Sequence, residues 1–385
     1  MSDPTIDLDG VEVSHKDIEI ARDGDLTVRV IEYEEIDSDG NMEPAFATDF
    51  CVQKEILKKR SPVFASMLGP HWREGKQKLI ELHEDTGIST TAIHVWLRIF
   101  HGDGDSKETC GKVNHEHLWH VYEAAQKYRL EIDDAKAWFD LWWNAHELEV
   151  DCRIANQLLF PCWAFRHLRA FGYVTKIVVY NEAGYISPVN PTPHKDLQLP
   201  DKIPQQLNKA KLKLKDTVQK MLWEPMAEFL QKERSGSEDK RFVQHQRRLV
   251  RKNIWPSEKA RVDNGIEHLL ERIESLKVDR AEENSDLHEY TQGDHLDASL
   301  GLAVEKTRTQ FDGLCLKCMA MSESGRGKSD EAYFAKNRRK DWDDECRDEG
   351  MDHGDDSWFF SYLGRRPFTE RREYWWDSWN DDRWW

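Results

Sequence analysis

A chain of 385 residues, 39% apolar and 33% charged, has material for more than one core, and its length predicts two or three folded units. Its net charge of −17 excludes a general nucleic-acid binder, because phosphate recognition needs a positive field. No run of roughly 18 apolar residues is present to cross a membrane, and seven scattered cysteines fit a reducing compartment, cytoplasmic or nuclear.

Residues 1–19 read as an N-terminal tail, and the start Met1-Ser2-Asp3-Pro4 lacks both regions of a signal peptide. Asp25–Tyr33 is the first strand: Leu26, Val28 and Val30 share one parity, the period of a half-buried strand. Asp37-Ser38-Asp39-Gly40-Asn41 is a turn cluster, and Ala45–Val52 returns as the hairpin partner. Lys54–Arg60 is a short helix. At Ser61-Pro62-Val63-Phe64-Ala65-Ser66-Met67-Leu68, Ser61 is placed as N-cap and Pro62 at the first helical position, where its missing N–H costs nothing. Lys78–Leu82 is a third strand. Helices follow over Thr91–Phe100, ended by the glycines of His101-Gly102-Asp103-Gly104, over Asn114–Tyr128 and over Ile132–His146.

This order of elements resembles the BTB/POZ fold. Phe50-x-Val52, Leu57, Ser61-Pro62-Val63-Phe64, Met67, Ile80-x-Leu82 and Ala124-Ala125-x-x-Tyr128 carry the resemblance. It implies a protein-interaction domain over residues 20–145, about a third of the chain, and so an adaptor or scaffold rather than an enzyme. In members that recruit a cullin ubiquitin-ligase scaffold, a hydrophobic-x-Glu element follows the Ser-Pro-x-Phe helix. Trp72-Arg73-Glu74 stands at that place, which makes Trp72 and Glu74 the partner-binding residues and a cullin the partner. The alternative is that Trp72 folds back on its own domain. Two departures from the family pattern stand out. Val52-Gln53-Lys54 replaces an early histidine, and residues before 20 lack the long amphipathic helix of strand-swapped BTB dimers, which argues against a homodimer. A nuclear scaffold or transcription-associated regulator without ubiquitin chemistry fits the same domain.

Residues 146–322 read as a mainly helical domain. Val150–Phe171 is an apolar helix that Pro161 should kink or split. Tyr173–Tyr180 is the most β-prone run of the chain, and with Asn181–Ile186 it predicts a hairpin near 173–187. Pro188, Pro191, Pro193 and Pro200 mark an extended connector. Leu207, Ala210, Leu214, Val218, Met221 and Leu222 form a helical stripe limited by Pro225. Ser235-Gly236-Ser237 is a break, and Arg247, Arg248, Arg251 and Lys252 read as a solvated helix face. Ile266, Leu269, Leu270, Ile273 and Leu276 form a second stripe. The fold class is therefore α+β, a small sheet flanked by helices followed by helices and one short hairpin.

Residues 323–385 read as an acidic, Trp-rich, partly disordered segment, with Trp375, Trp376, Trp379, Trp384 and Trp385 among aspartates and arginines. Ser324-Gly325-Arg326-Gly327-Lys328-Ser329 imitates the end of a phosphate-binding loop. Ser322 stands where that loop needs its first glycine and no strand precedes it, so it reads as a linker. One metal-like signal spans this boundary. Cys315 and Cys318 are spaced to share a tetrahedral ion, and Cys346 and His353 complete a Cys₃His set for Zn²⁺; helix-packed thiols and a redox pair are the alternatives. Gly313-Leu314-Cys315-x-x-Cys318, Cys346, His353-Gly354 and Trp358-Phe359-Phe360-Ser361 also resemble the C-terminal part of fungal BTB proteins, as do Pro161–Phe165 and Val174–Lys176. That resemblance implies an architecture and no reaction. His115, His117 and His120 near Cys110 read as surface or capping residues, since His115 and His117 cannot share a helix face. No hydrolase, kinase, zinc-protease or dinucleotide motif is present.

Overall fold

The computed structural model describes residues 4–8, 10–35, 41–84, 88–102, 110–231, 236–255, 265–283, 294–324, 346, 351, 353 and 356–363. The chain divides into two compact units, Met1–Val178 with Ile186–Pro200 and Val179–Tyr185 with Asp201–Trp385. Class α+β holds: a five-stranded mixed sheet lies in the N-terminal unit, and most of the rest is helical.

The strands are β1 (Thr5–Leu8), β2 (Val11–Glu19), β3 (Leu26–Glu35), β4 (Met42–Val52) and β5 (Leu79–Glu84), in the sheet order β1-β2-β4-β3-β5. β3 and β4 are the antiparallel hairpin that the alternation predicts, with Val28 opposite Phe50 and Val30 opposite Thr48. β5 joins β3 in parallel and puts Ile80 beside Val28 and Leu82 beside Val30. These residues are all buried, so one face of the sheet forms the core. The tail expected over residues 1–19 is instead sheet. β2 pairs in parallel with β4 and places Ile18 opposite Phe50, while β1 closes the edge. Ile6 with Leu8 and Val11 with Val13 give only two short apolar alternations there, and backbone pairing with β4 supplies what the side chains do not announce. The turn cluster at 37–40 lies outside the described residues.

Around the sheet stand α1 (Lys54–Arg60), α2 (Pro62–Met67), α3 (Thr90–Phe100), α4 (His117–Tyr128), α5 (Lys136–His146) and α6 (Cys152–Ala164). Ser61 caps α2 as its spacing predicts, accepting the Phe64 N–H at 3.1 Å. Its hydroxyl also donates to the Tyr128 carbonyl at 2.7 Å, so one buried side chain serves the start of α2 and the end of α4. Tyr128 stacks on Phe64 and donates its phenol to Glu84, which also holds Lys127.

Two sequence expectations are revised in the following helices. α6 runs through Pro161 without splitting. A proline there cannot donate to the carbonyl of Gln157, and the Trp119 indole N–H takes that place at 3.1 Å. The break comes later, at Arg166, which has a positive φ of 56°. The expected hairpin near 173–187 is α7 (Leu168–Asn181). Ala170, Phe171, Val174, Thr175, Val178 and Val179 are buried in pairs four apart, a helical period that overrides the β-propensity of the run. Residues 182–201 carry no helix or strand, as the prolines predict; Asn190 closes an Asx turn by accepting the Thr192 N–H at 2.9 Å.

The C-terminal unit holds α8 (Lys202–Gln231), α9 (Gly236–Arg251), α10 (Ile266–Glu283), α11 (Asp294–Gln310), α12 (Leu316–Ser324) and the short α13 (Ser357–Phe360). α8 continues past Pro225, which the stripe reading took as its limit. Ile203, Leu207, Ala210, Leu214, Val218, Leu222 and Met226 bury one continuous side, enough to carry the helix through one missing N–H. Ile266, Leu269, Leu270, Ile273 and Leu276 are buried along α10, as their spacing predicts. From α11, Arg308 forks onto Glu267 and Glu274 of α10. The segment expected to be separate after residue 323 is partly core: Cys346, Met351, Trp358, Phe360, Tyr362 and Leu363 are buried. The Trp-rich stretch 375–385 and the loop at 325–329 lie outside the described residues.

Candidate metal centre

Gly313 has φ 96°, a left-handed conformation that suits glycine and turns the chain ahead of α12. Cys315 then lies just before α12 and Cys318 in its first turn, so their side chains meet at the helix start. The Cys346 carbonyl accepts a hydrogen bond from the Met351 N–H at 2.8 Å, and the Cys346 thiol and the His353 ring lie with the thiols of Cys315 and Cys318. All four donor atoms of Cys315, Cys318, Cys346 and His353 lie within 4.8 Å of one another. Cys315 Sγ is 3.8 Å from Cys346 Sγ, and Cys318 Sγ is 3.6 Å from His353 Nε2. The thiols are buried and no disulfide joins them.

This cluster can hold a metal ion. Hydrogen bonding with Cys318 and then Cys346 pulls the Cys315 thiol down, while hydrogen bonding with Cys315 and then Cys346, together with burial, pushes Cys318 up. A bound cation reverses that arrangement by allowing the remaining thiols to ionise.

Trp72 and Glu74 lie in the connection between α2 and β5. Trp72 is 58% exposed. Glu74 opens a single 3₁₀ turn, Glu74–Lys76, and is half-buried. The loop is tightly closed: a Cβ at Gly75 would lie 2.0 Å from the Gly69 carbonyl oxygen, and Lys54 Nζ donates to the Gly75 carbonyl.

The other flagged residues do not converge. Cys110 is buried and faces the Trp138 carbonyl, and His117 bonds to Asn114. His120 pairs with His194, with Nδ1 and Nε2 3.3 Å apart. Burial first, then the neighbouring His194 and His117, hold His120 down at about 4. His15, Asp17 and Asp49 form a second acidic–imidazole group on the sheet. There Arg29 already forks both oxygens of Asp49 at 2.8 and 2.9 Å, which neutralises the carboxylate a cation would need. The sequence reading missed the groups that frame the metal centre, the buried Ser322, Ser357 and Ser361; serines carry no spacing signal.

Fold and site together define an α+β chain whose C-terminal unit carries a buried Cys₃His cluster able to hold a metal ion. No protein-family model, no curated protein and no solved structure matches the chain.

Proposed function

We propose that this chain is a non-catalytic protein-interaction adaptor, with a BTB-type N-terminal unit and a C-terminal unit built on a structural Zn²⁺ centre. For zinc, the carrying observation is the pair of donor separations. Zn²⁺ bonded to sulfur at about 2.3 Å and to nitrogen at about 2.0–2.1 Å has tetrahedral S–S and S–N edges of about 3.8 and 3.6 Å. Cys315–Cys346 and Cys318–His353 stand at 3.8 and 3.6 Å. Four protein donors saturate the ion and leave no position for a reacting water, which makes the role structural.

The adaptor reading rests on Trp72, a large apolar side chain that is more than half exposed, two residues before Glu74 in a tightly closed loop. Aromatic anchors of this kind carry much of the energy of protein interfaces. Following the resemblance, the partner is a cullin scaffold. Metal analysis of the purified chain is expected to find one Zn²⁺, lost in Cys315→Ser; absence of stoichiometric zinc sinks the metal reading. Purified cullin is expected to bind the wild type and to bind Trp72→Ala/Glu74→Ala at least about tenfold more weakly. Equal binding by the two, or none by either, removes the cullin assignment.

A further inference from the structure

Ser322, Ser357 and Ser361 share one arrangement. The Ser361 hydroxyl accepts the Cys315 N–H at 2.8 Å and donates to the Ser357 carbonyl at 2.6 Å. The Ser357 hydroxyl accepts the Asp312 N–H at 2.7 Å. Ser322 accepts the Leu363 N–H at 2.8 Å and donates to the Met319 carbonyl at 2.7 Å. Three buried hydroxyls thus stitch the segment 356–363 to the stretch 312–322 that carries Cys315 and Cys318. The far end is tied to α8, where Lys202 and Gln206 donate to the Leu363 and Tyr362 carbonyls at 2.7 and 2.6 Å.

Of these, Ser361 alone bonds the backbone of a metal ligand. The Cys315 amide lies ahead of α12 and outside any strand, so it has no ladder or helical carbonyl to satisfy it, and a buried amide needs a partner. Holding that amide fixes the peptide plane before Cys315 and, through it, the direction of the Cβ–Sγ bond. Groups that orient ligands in this way typically tune metal affinity by 10–100-fold.

We infer that Ser361 is a positioning residue of the metal centre, and that the segment 356–363 is a strap whose docking and whose metal are coupled through it. The inference rests on the proposed metal site. Ion binding favours the orientation of Cys315 that the strap enforces, and the docked strap pre-orients the thiolate for the ion. Coupling runs both ways by linkage.

The test uses the full chain, with Zn²⁺ affinity read by chelator competition and site geometry by the absorption of the Co²⁺-loaded protein. Ser361→Ala is expected to bind Zn²⁺ about 10–100-fold more weakly and to shift the Co²⁺ bands. Ser322→Ala deletes the same kind of buried hydroxyl, one that holds the strap from α12 through the Leu363 N–H without bonding the backbone of a ligand, and is expected to stay within about threefold of wild type with unchanged bands. Equal losses in the two variants make Ser361 merely structural and overturn the inference. If Ser361→Ala does not fold, Ser361→Cys keeps a weaker acceptor in place and should bind with reduced affinity; wild-type affinity there also overturns it. A wild-type chain that takes up neither ion fails at the metal site itself, and the inference falls with it. In the metal-loaded wild type, chelation should raise amide exchange in 312–322 and 356–363 together; a rise in only one of them breaks the coupling.

Discussion

The N-terminal unit fills its interior with large rings, among them Trp96, Trp119, Trp138, Trp142, Trp143 and Phe139, whereas the end of the C-terminal unit buries Cys315, Cys318, Cys346, Ser357, Ser361 and Gln310. An aromatic removes roughly 150–250 Å² from water and needs only a complementary neighbour. A buried hydroxyl, amide or thiol contributes only when its partner is present, and costs free energy when it is not. The first kind of interior tolerates changes of solution; the second is conditional on its partners. The contrast predicts that the units respond differently to the same insult.

The largest expected effect comes from removing the proposed Zn²⁺. Chelation or Cys346→Ser should leave the described helices and sheet of the N-terminal unit protected from amide exchange while α12 and residues 356–363 open. Apparent zinc-binding free energies of about 10–16 kcal/mol in small structural sites put the expected loss in the C-terminal unit on the order of several kcal/mol. Lowering pH should act in the same direction on the loaded protein, because protons compete with the ion for thiolate and imidazole. Equal opening of both units, or none, would erase the distinction between their interiors.

A second prediction sharpens the contrast by looking for conditional groups inside the aromatic core. The Trp119 indole donates to the Gln157 carbonyl that Pro161 cannot satisfy. Trp119→Phe should cost about 2–3 kcal/mol in denaturant unfolding, combining lost volume with an unpaired buried carbonyl. With Pro161→Ala the helix regains its own N–H, and the same substitution should cost about 1 kcal/mol less. No coupling between the two positions would mean that Trp119 serves only as volume.

These cases also show which parts of the structure were legible in the sequence. Ser61-Pro62 and Cys315-x-x-Cys318 declare themselves because their partners are local: a cap acts three residues away, and two thiols three apart meet at a helix start. The strand parity of Leu26, Val28 and Val30 is likewise local. β2 was missed because its order comes from pairing with β4, and its outward residues are polar. Tyr173–Tyr180 was misread because β-branched composition was weighed above the spacing of its buried residues, which is helical. For Pro161 and Pro225 a local rule was applied where distant packing decides. The role of Ser361 was invisible, since what makes a serine a positioning residue is the amide opposite it, 46 residues away in sequence. Cys346 and His353 lay between, named by residue type and brought together only by the fold.

The smallest expected effect tests whether the N-terminal unit has a conditional group of its own. His120 and His194, 74 residues apart, share a hydrogen bond that requires at least one ring to be neutral. Burial holds His120 at about 4, below the unfolded value of about 6.5. Between those two values the unfolded chain carries the extra proton, so this pair's contribution is constant above about pH 6.5 and falls as the pH drops toward 4. The ring is only partly buried, which limits the loss to about 1–2 kcal/mol. Stability measured in denaturant from pH 7 to 4 should therefore fall less steeply in His120→Gln than in the wild type. Parallel curves would show that His120 takes its proton in the folded state as readily as in the unfolded one, leaving the N-terminal unit without a proton-sensitive joint at this pair.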